Sequence, residues 1–164
     1  MAIPRRAVAV LVRQRDALLF EIIRQEPAGS PLHPFELGHF RFTYGSSRID
    51  TTESQRLAHM VHLSLQDLSD GLLSIAEGAK GFLMMAVASS FELDVRRRRD
   101  KVDLSAGSSC VEDIPLGDLL NTVATTTSEH LAQQSCPVPA PPILRDLEQS
   151  ILKLKSVAHA RRAS

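Results

Sequence analysis

Two histidines one helical turn apart open the search for chemistry in this 164-residue chain. His59 and His62 are followed by Gln66 and Asp70 at steps of four. On a helix these positions form one polar line, and imidazoles on neighbouring turns can share a divalent ion. His39, on a preceding strand, is a candidate further ligand. The competing reading is a half-buried helix flank, because the H-E-x-x-H spacing and a further carboxylate are missing. Asp67, Asp70 and Glu77 offer a candidate acid/base set, against the commoner role of solvated helix carboxylates.

Arg96, Arg97, Arg98 and Arg99, with Lys101 beyond them, are the densest charge in the chain. A hairpin tip of this kind can contact phosphate or nucleic acid, dock on an acidic protein, or guard a sheet edge as a solvated turn. Lys+Arg 19 against Asp+Glu 19 leaves no net charge, and no aromatic residue is interleaved. Protein docking or the solvated turn is therefore favoured over nucleic acid. The best partner-binding candidate is the stripe Leu144, Leu147, Ile151 and Leu154, whose three–four spacing makes a narrow helical seam. Its alternative is folding back on its own domain. There is no G-x-S-x-G, P-loop, G-x-G-x-x-G or Cys/His nucleophile pattern. The segments Ser69-Asp70-Gly71 and Gly107-Ser108-Ser109-Cys110 come nearest to a nucleophile turn, and neither has a base nearby in sequence. Cys110 and Cys136 form no C-x-x-C or ligand array and read as reduced thiols. No cofactor is expected.

The elements that must position these residues follow from periodicity. Leu57, Val61, Leu65, Leu68, Leu72 and Ile75 predict one amphipathic helix over Thr52–Glu77, with Thr52 and Gln55 as a capping box and Gly78 as the stop. Residues 7–24 predict two strands around a charged turn at 13–16, the rival being a helix over 14–25. Residues 26–34 read as a loop. Phe40, Phe42 and Tyr44 share one strand face, and a turn leads to a short return strand over 47–50. Residues 81–88 and 91–96 predict two more strands. A turn on Arg99-Asp100 pairs Arg96 with Asp103 and Val95 with Leu104, which avoids like-charge pairs worth roughly 0.2–1 kcal/mol each. Residues 105–109 read as a loop, Asp113 as a helix cap ahead of Pro115, and Leu116, Leu119, Leu120, Val123 and Leu131 as that helix's apolar stripe. The proline-rich residues 135–142 read as an extended connector before a last helix over 143–160.

The opening hairpin resembles the first hairpin of Nudix hydrolases, where an apolar strand, a short charged turn and a second apolar strand also begin the domain. The resemblance covers that segment alone. The Nudix signature of glycine and spaced glutamates that binds magnesium is missing, so the activity is not carried over.

The reading that results is an α+β fold: an antiparallel sheet of five or six strands packed on one long central helix, with two C-terminal helices. Residues 1–134 form the α+β domain, 135–142 the connector and 143–164 a helix packed on the same domain. No run approaches a membrane span, and the cysteine usage and absence of a signal pattern point to a soluble, cytoplasmic chain. The function that fits best is non-catalytic binding of another protein or of itself, as an adaptor, assembly subunit or immunity-type inhibitor. The alternatives are a small metal- or ligand-dependent enzyme at His59/His62 and nucleic-acid contact through Arg96–Arg99.

Overall fold

A computed structural model describes residues 17–133 and 139–163, with side chains to residue 161. The first strand of the expected opening hairpin, and Cys136, lie outside the described residues. The second half of that hairpin is a strand, β1 (Leu19–Arg24), and not the rival helix. It pairs antiparallel with β2 (Leu37–Tyr44), bringing Phe20 beside Phe42 and Ile22 beside Phe40. Phe20, Phe40 and Phe42 are buried and pack ring to ring, with Phe20 stacked on Phe42 at 4.5 Å. A turn at Gly45 leads to β3 (Ser47–Asp50), as the alternation implied.

The long central rod does not form as expected. Asp50 accepts hydrogen bonds from the Thr52 N–H and hydroxyl and caps a 3-10 turn at Thr51–Glu53. Ser54 accepts from Arg56 N–H and caps a second turn at Gln55–Leu57. The anticipated capping box is thus replaced by two short local caps. A two-residue strand, β4 (His59–Met60), then pairs with the start of β2. Helix α1 begins only at Val61 and ends at Ala76. Its first N–H donates to the Glu36 carbonyl, which takes the place of a side-chain cap. Its end is closed at Gly78, at φ +116°, with Ala79 N–H returning to the Ser74 carbonyl. The apolar stripe holds: Val61, Leu65, Leu68, Leu72 and Ile75 are all fully buried.

The strands after α1 do not extend the first sheet. β5 (Gly81–Met85), β6 (Glu92–Arg98), β7 (Lys101–Ala106) and β8 (Ser109–Pro115) form a separate antiparallel meander in that order. Among the described residues the fold is therefore α+β with two four-stranded sheets and three helices, and not one sheet of five or six strands. The β6–β7 register is the one favoured by charge, with Arg96 opposite Asp103 and Val95 opposite Leu104. The expected loop over 105–109 narrows to a turn at Gly107-Ser108, and β8 replaces the expected capped helix start. Val102 faces Ile114 and Leu104 faces Val111, so a bulge places Glu112 and Asp113 against Asp103. Asp113 sits there at φ +61° instead of capping a helix.

Helix α2 (Leu116–Gln133) starts directly after Pro115, and helix α3 (Pro142–Ala163) follows. The three helices pack on one another. α1 also lies on β5, and α2 lies on β1 and β8. One hydrophobic cluster joins both sheets to all three helices. Burial of aliphatic side chains at roughly 25 cal/mol per Å² drives this arrangement. At the seam between the sheets β3 lies against β8, which leaves β5 as the outer edge of the second sheet.

Candidate functional site

The histidine line is not a helix flank, because His59 belongs to β4 and only His62 to α1. Each ring has its own surroundings. His59 is fully buried, stacked on Phe91 at 5.0 Å and edge-on to Phe40 at 4.5 Å. Its Nδ1 donates to the Leu57 carbonyl at 2.9 Å, and its Nε2 is buried without a partner among the described residues. Burial lowers its pKa to about 4, against the opposing pull of that carbonyl.

His62, also fully buried, sets its Nδ1 2.9 Å from the His33 carbonyl. A carbonyl only accepts, so Nδ1 carries the proton and Nε2 is left with a lone pair. His130 of α2 supplies the matching donor, Nε2 to Nε2 at 3.0 Å. Burial lowers both pKa values; His130 reaches about 4, with the neighbouring His62 adding to the effect. The partner that sequence spacing missed is thus 68 residues away on another helix. Beside the pair, Glu36 and Arg24 form an ion pair at 2.6 Å with almost no exposed side-chain surface. Burial would raise the Glu36 pKa, but Arg24 and the His33 N–H more than offset it, so the carboxyl lies below its ordinary range.

His39 donates or accepts at Thr51 Oγ1, 2.9 Å away. Gln66 is drawn to Ser150 of α3 at 2.7 Å and to Asp70 at 3.0 Å. Among the described residues, no group of three or more His, Cys, Asp or Glu converges on one point. A cleft of about 270 Å³ between β3, the 3-10 turns and the β6–β7 sheet is lined by Ile49, Leu57 and Phe91 with Glu53 and Glu92; neither His59 nor His62 lines it.

The arginine run is divided among structural tasks. Arg97 donates to the Ile75 carbonyl at 2.7 Å, closing the end of α1, and its Nε reaches the Arg99 carbonyl. Arg98 is held between Asp103 at 2.7 Å and Asp113 at 2.7 Å. Arg96 pairs with Asp94 at 3.2 Å on the exposed face, and Arg99 occupies the turn at φ +60°. The tail seam is likewise internal: Leu144, Leu147, Ile151 and Leu154 are buried against the chain's own helices. These four side chains present no free face to a second protein.

Among the described residues β1 and β5 each have a single strand partner, β1 on β2 and β5 on β6, and β5 carries the longer row of exposed apolar side chains. Arg97 N–H bonds the Lys80 carbonyl and Ala86 N–H bonds the Phe91 carbonyl. Strand geometry then turns the backbone groups of Lys80, Phe82, Met84 and Ala86 toward β6, and those of Gly81, Leu83 and Met85 outward. Leu83 and Met85 are also the most exposed apolar side chains of the sheet, at 54% and 61%. Val87 continues the row at 42%, but its carbonyl accepts from Met60 N–H, which closes the edge there. The sequence signal for this edge was present in the Gly-Phe-Leu-Met-Met run, whose position within a sheet periodicity cannot specify.

No helix among the described residues is long and apolar enough to cross a membrane. Compared with models of protein families, with curated proteins and with solved structures, the chain matches none.

Proposed function

We propose that the chain is a non-catalytic protein-binding module that receives a strand of its partner along β5. The observation that supports this is the coincidence, on Gly81–Met85, of outward backbone donors and acceptors with exposed apolar side chains. Edge strands are ordinarily guarded by charge, proline or a bulge within the strand. Residues 81–85 carry none of these. Strand addition supplies main-chain hydrogen bonds for affinity and alternate side chains for selectivity. Such an edge would serve an adaptor, an assembly subunit or an immunity-type inhibitor. The test is a photo-crosslinking residue at position 83, with one at Leu152, an exposed apolar position on α3 (61%), as control. We expect protein adducts in the native extract from position 83 and not from 152. Equal or absent adducts would contradict the proposal.

A further inference from the structure

We infer that the strand received at β5 belongs to a second copy of this chain, paired antiparallel about a two-fold axis at Leu83; this rests on the binding reading above. Among the described residues the edge is open over Gly81–Met85 and closed at Val87 by Met60 N–H, so its centre is Leu83. Centring the axis there makes Leu83 face its own copy and Gly81 face the copy's Met85. All the outward backbone groups are then matched, each facing pair exchanging two hydrogen bonds. A slip of one residue would oppose outward groups to the copy's inward ones.

The side chains suit the same register. Position 81 admits only glycine, because a Cβ there would come 2.5 Å from the Val95 carbonyl oxygen. The row therefore has a gap at its Gly81 end and its longest exposed side chain, Met85, at the other. The two-fold places each copy's Met85 beside the other's gap. Charge agrees. On β6, Glu92 stands opposite Met85 and Arg96 opposite Gly81, next to Lys80. Antiparallel pairing brings the acidic end of one copy to the basic end of the other, whereas parallel pairing would set like ends together. The Arg96–Asp94 pair is exposed and holds Arg96 only weakly. Such self-complementarity is what a two-fold interface requires.

A five-residue strand pair falls in the size class of weak, transient interfaces. Disulfide trapping suits such a contact. Leu83→Cys is made in full-length chain with Cys110→Ser and Cys136→Ser, and oxidised at about 10 µM. Facing residues in such a pair have Cα atoms about 5.5 Å apart, within disulfide reach. We expect covalent dimer at least tenfold above that of Glu92→Cys, one strand further in. Equal trapping at the two positions, or none at position 83, overturns self-pairing. The crosslinks from position 83 then separate the cases: if they still reach other proteins, the binding reading stands, and if they reach nothing it falls too.

Discussion

At the scale of single residues, burial holds His59, His62 and His130 neutral. Unfolded, each takes up a proton below about pH 6.5. Folded, His59 and His130 do so only near 4, and His62 below its ordinary value. Between those limits the unfolded chain binds more protons, so stability falls as pH drops from about 6.5 toward 4, and is fully present above that window. For His59 alone the shift corresponds to roughly 3 kcal/mol. Thermal midpoints measured from pH 7.5 to 4.5 should fall steadily, and His59→Phe, which keeps the ring between Phe40 and Phe91, should flatten part of that slope. A midpoint independent of pH would contradict the neutral burial. The Arg24–Glu36 pair belongs to the same scale. Glu36→Ala leaves a guanidinium with 9% exposure facing the lost carboxylate, and should cost about 3–5 kcal/mol by urea unfolding. Sequence spacing made His62 conspicuous but joined it to His59. Its real partner, His130, lay across a tertiary contact that no local pattern encodes.

At the scale of elements, short-range chemistry was readable wherever it was strong. The Phe40/Phe42 alternation, the Gly45 turn and the Arg99-Asp100 register follow from side-chain period and charge. The helix stripe was right from Val61 to Ile75 and wrong in its start, Leu57 included, because Asp50 and Ser54 bond their own neighbours and divert residues 51–57 into 3-10 turns. β8 was hidden by its bulge: Val111 and Ile114 are three apart, which breaks the period of two that marks a strand. Two substitutions probe the joints between elements. Arg97→Ala removes the guanidinium from the Ile75 carbonyl and should destabilise by about 1–2 kcal/mol, against at most about 0.5 for Arg96→Ala. Equal effects would return the arginine run to a uniform surface role. Gly71 lies inside α1 with the Phe82 ring against its α-carbon, and an added Cβ would come 2.4 Å from that ring. Gly71→Ala should therefore lower the midpoint despite a helix-propensity gain of roughly 1 kcal/mol.

At the scale of the whole molecule, the two sheets and three helices of the described residues share one core, and each helix turns most of its apolar stripe into it. Helix α3, the strongest sequence candidate for a partner, covers its own chain. An unpaired strand edge lies instead on the second sheet, because β3 occupies the neighbourhood of β8 and nothing described occupies that of β5 between Gly81 and Met85. Which strand of an antiparallel set becomes the edge is decided by strand order. Strand order follows from long-range pairing, so this surface was not legible from periodicity. The most direct test is sedimentation velocity of the purified chain over a hundredfold dilution, beside Leu83→Lys, which puts a charge on the edge without touching the core. We expect the wild-type chain to move from twice 18.0 kDa to 18.0 kDa on dilution, and the variant to stay at 18.0 kDa throughout with an unchanged thermal midpoint. A wild-type chain at 18.0 kDa at every concentration, or a variant that dimerises as well as the wild type, would contradict self-pairing at β5.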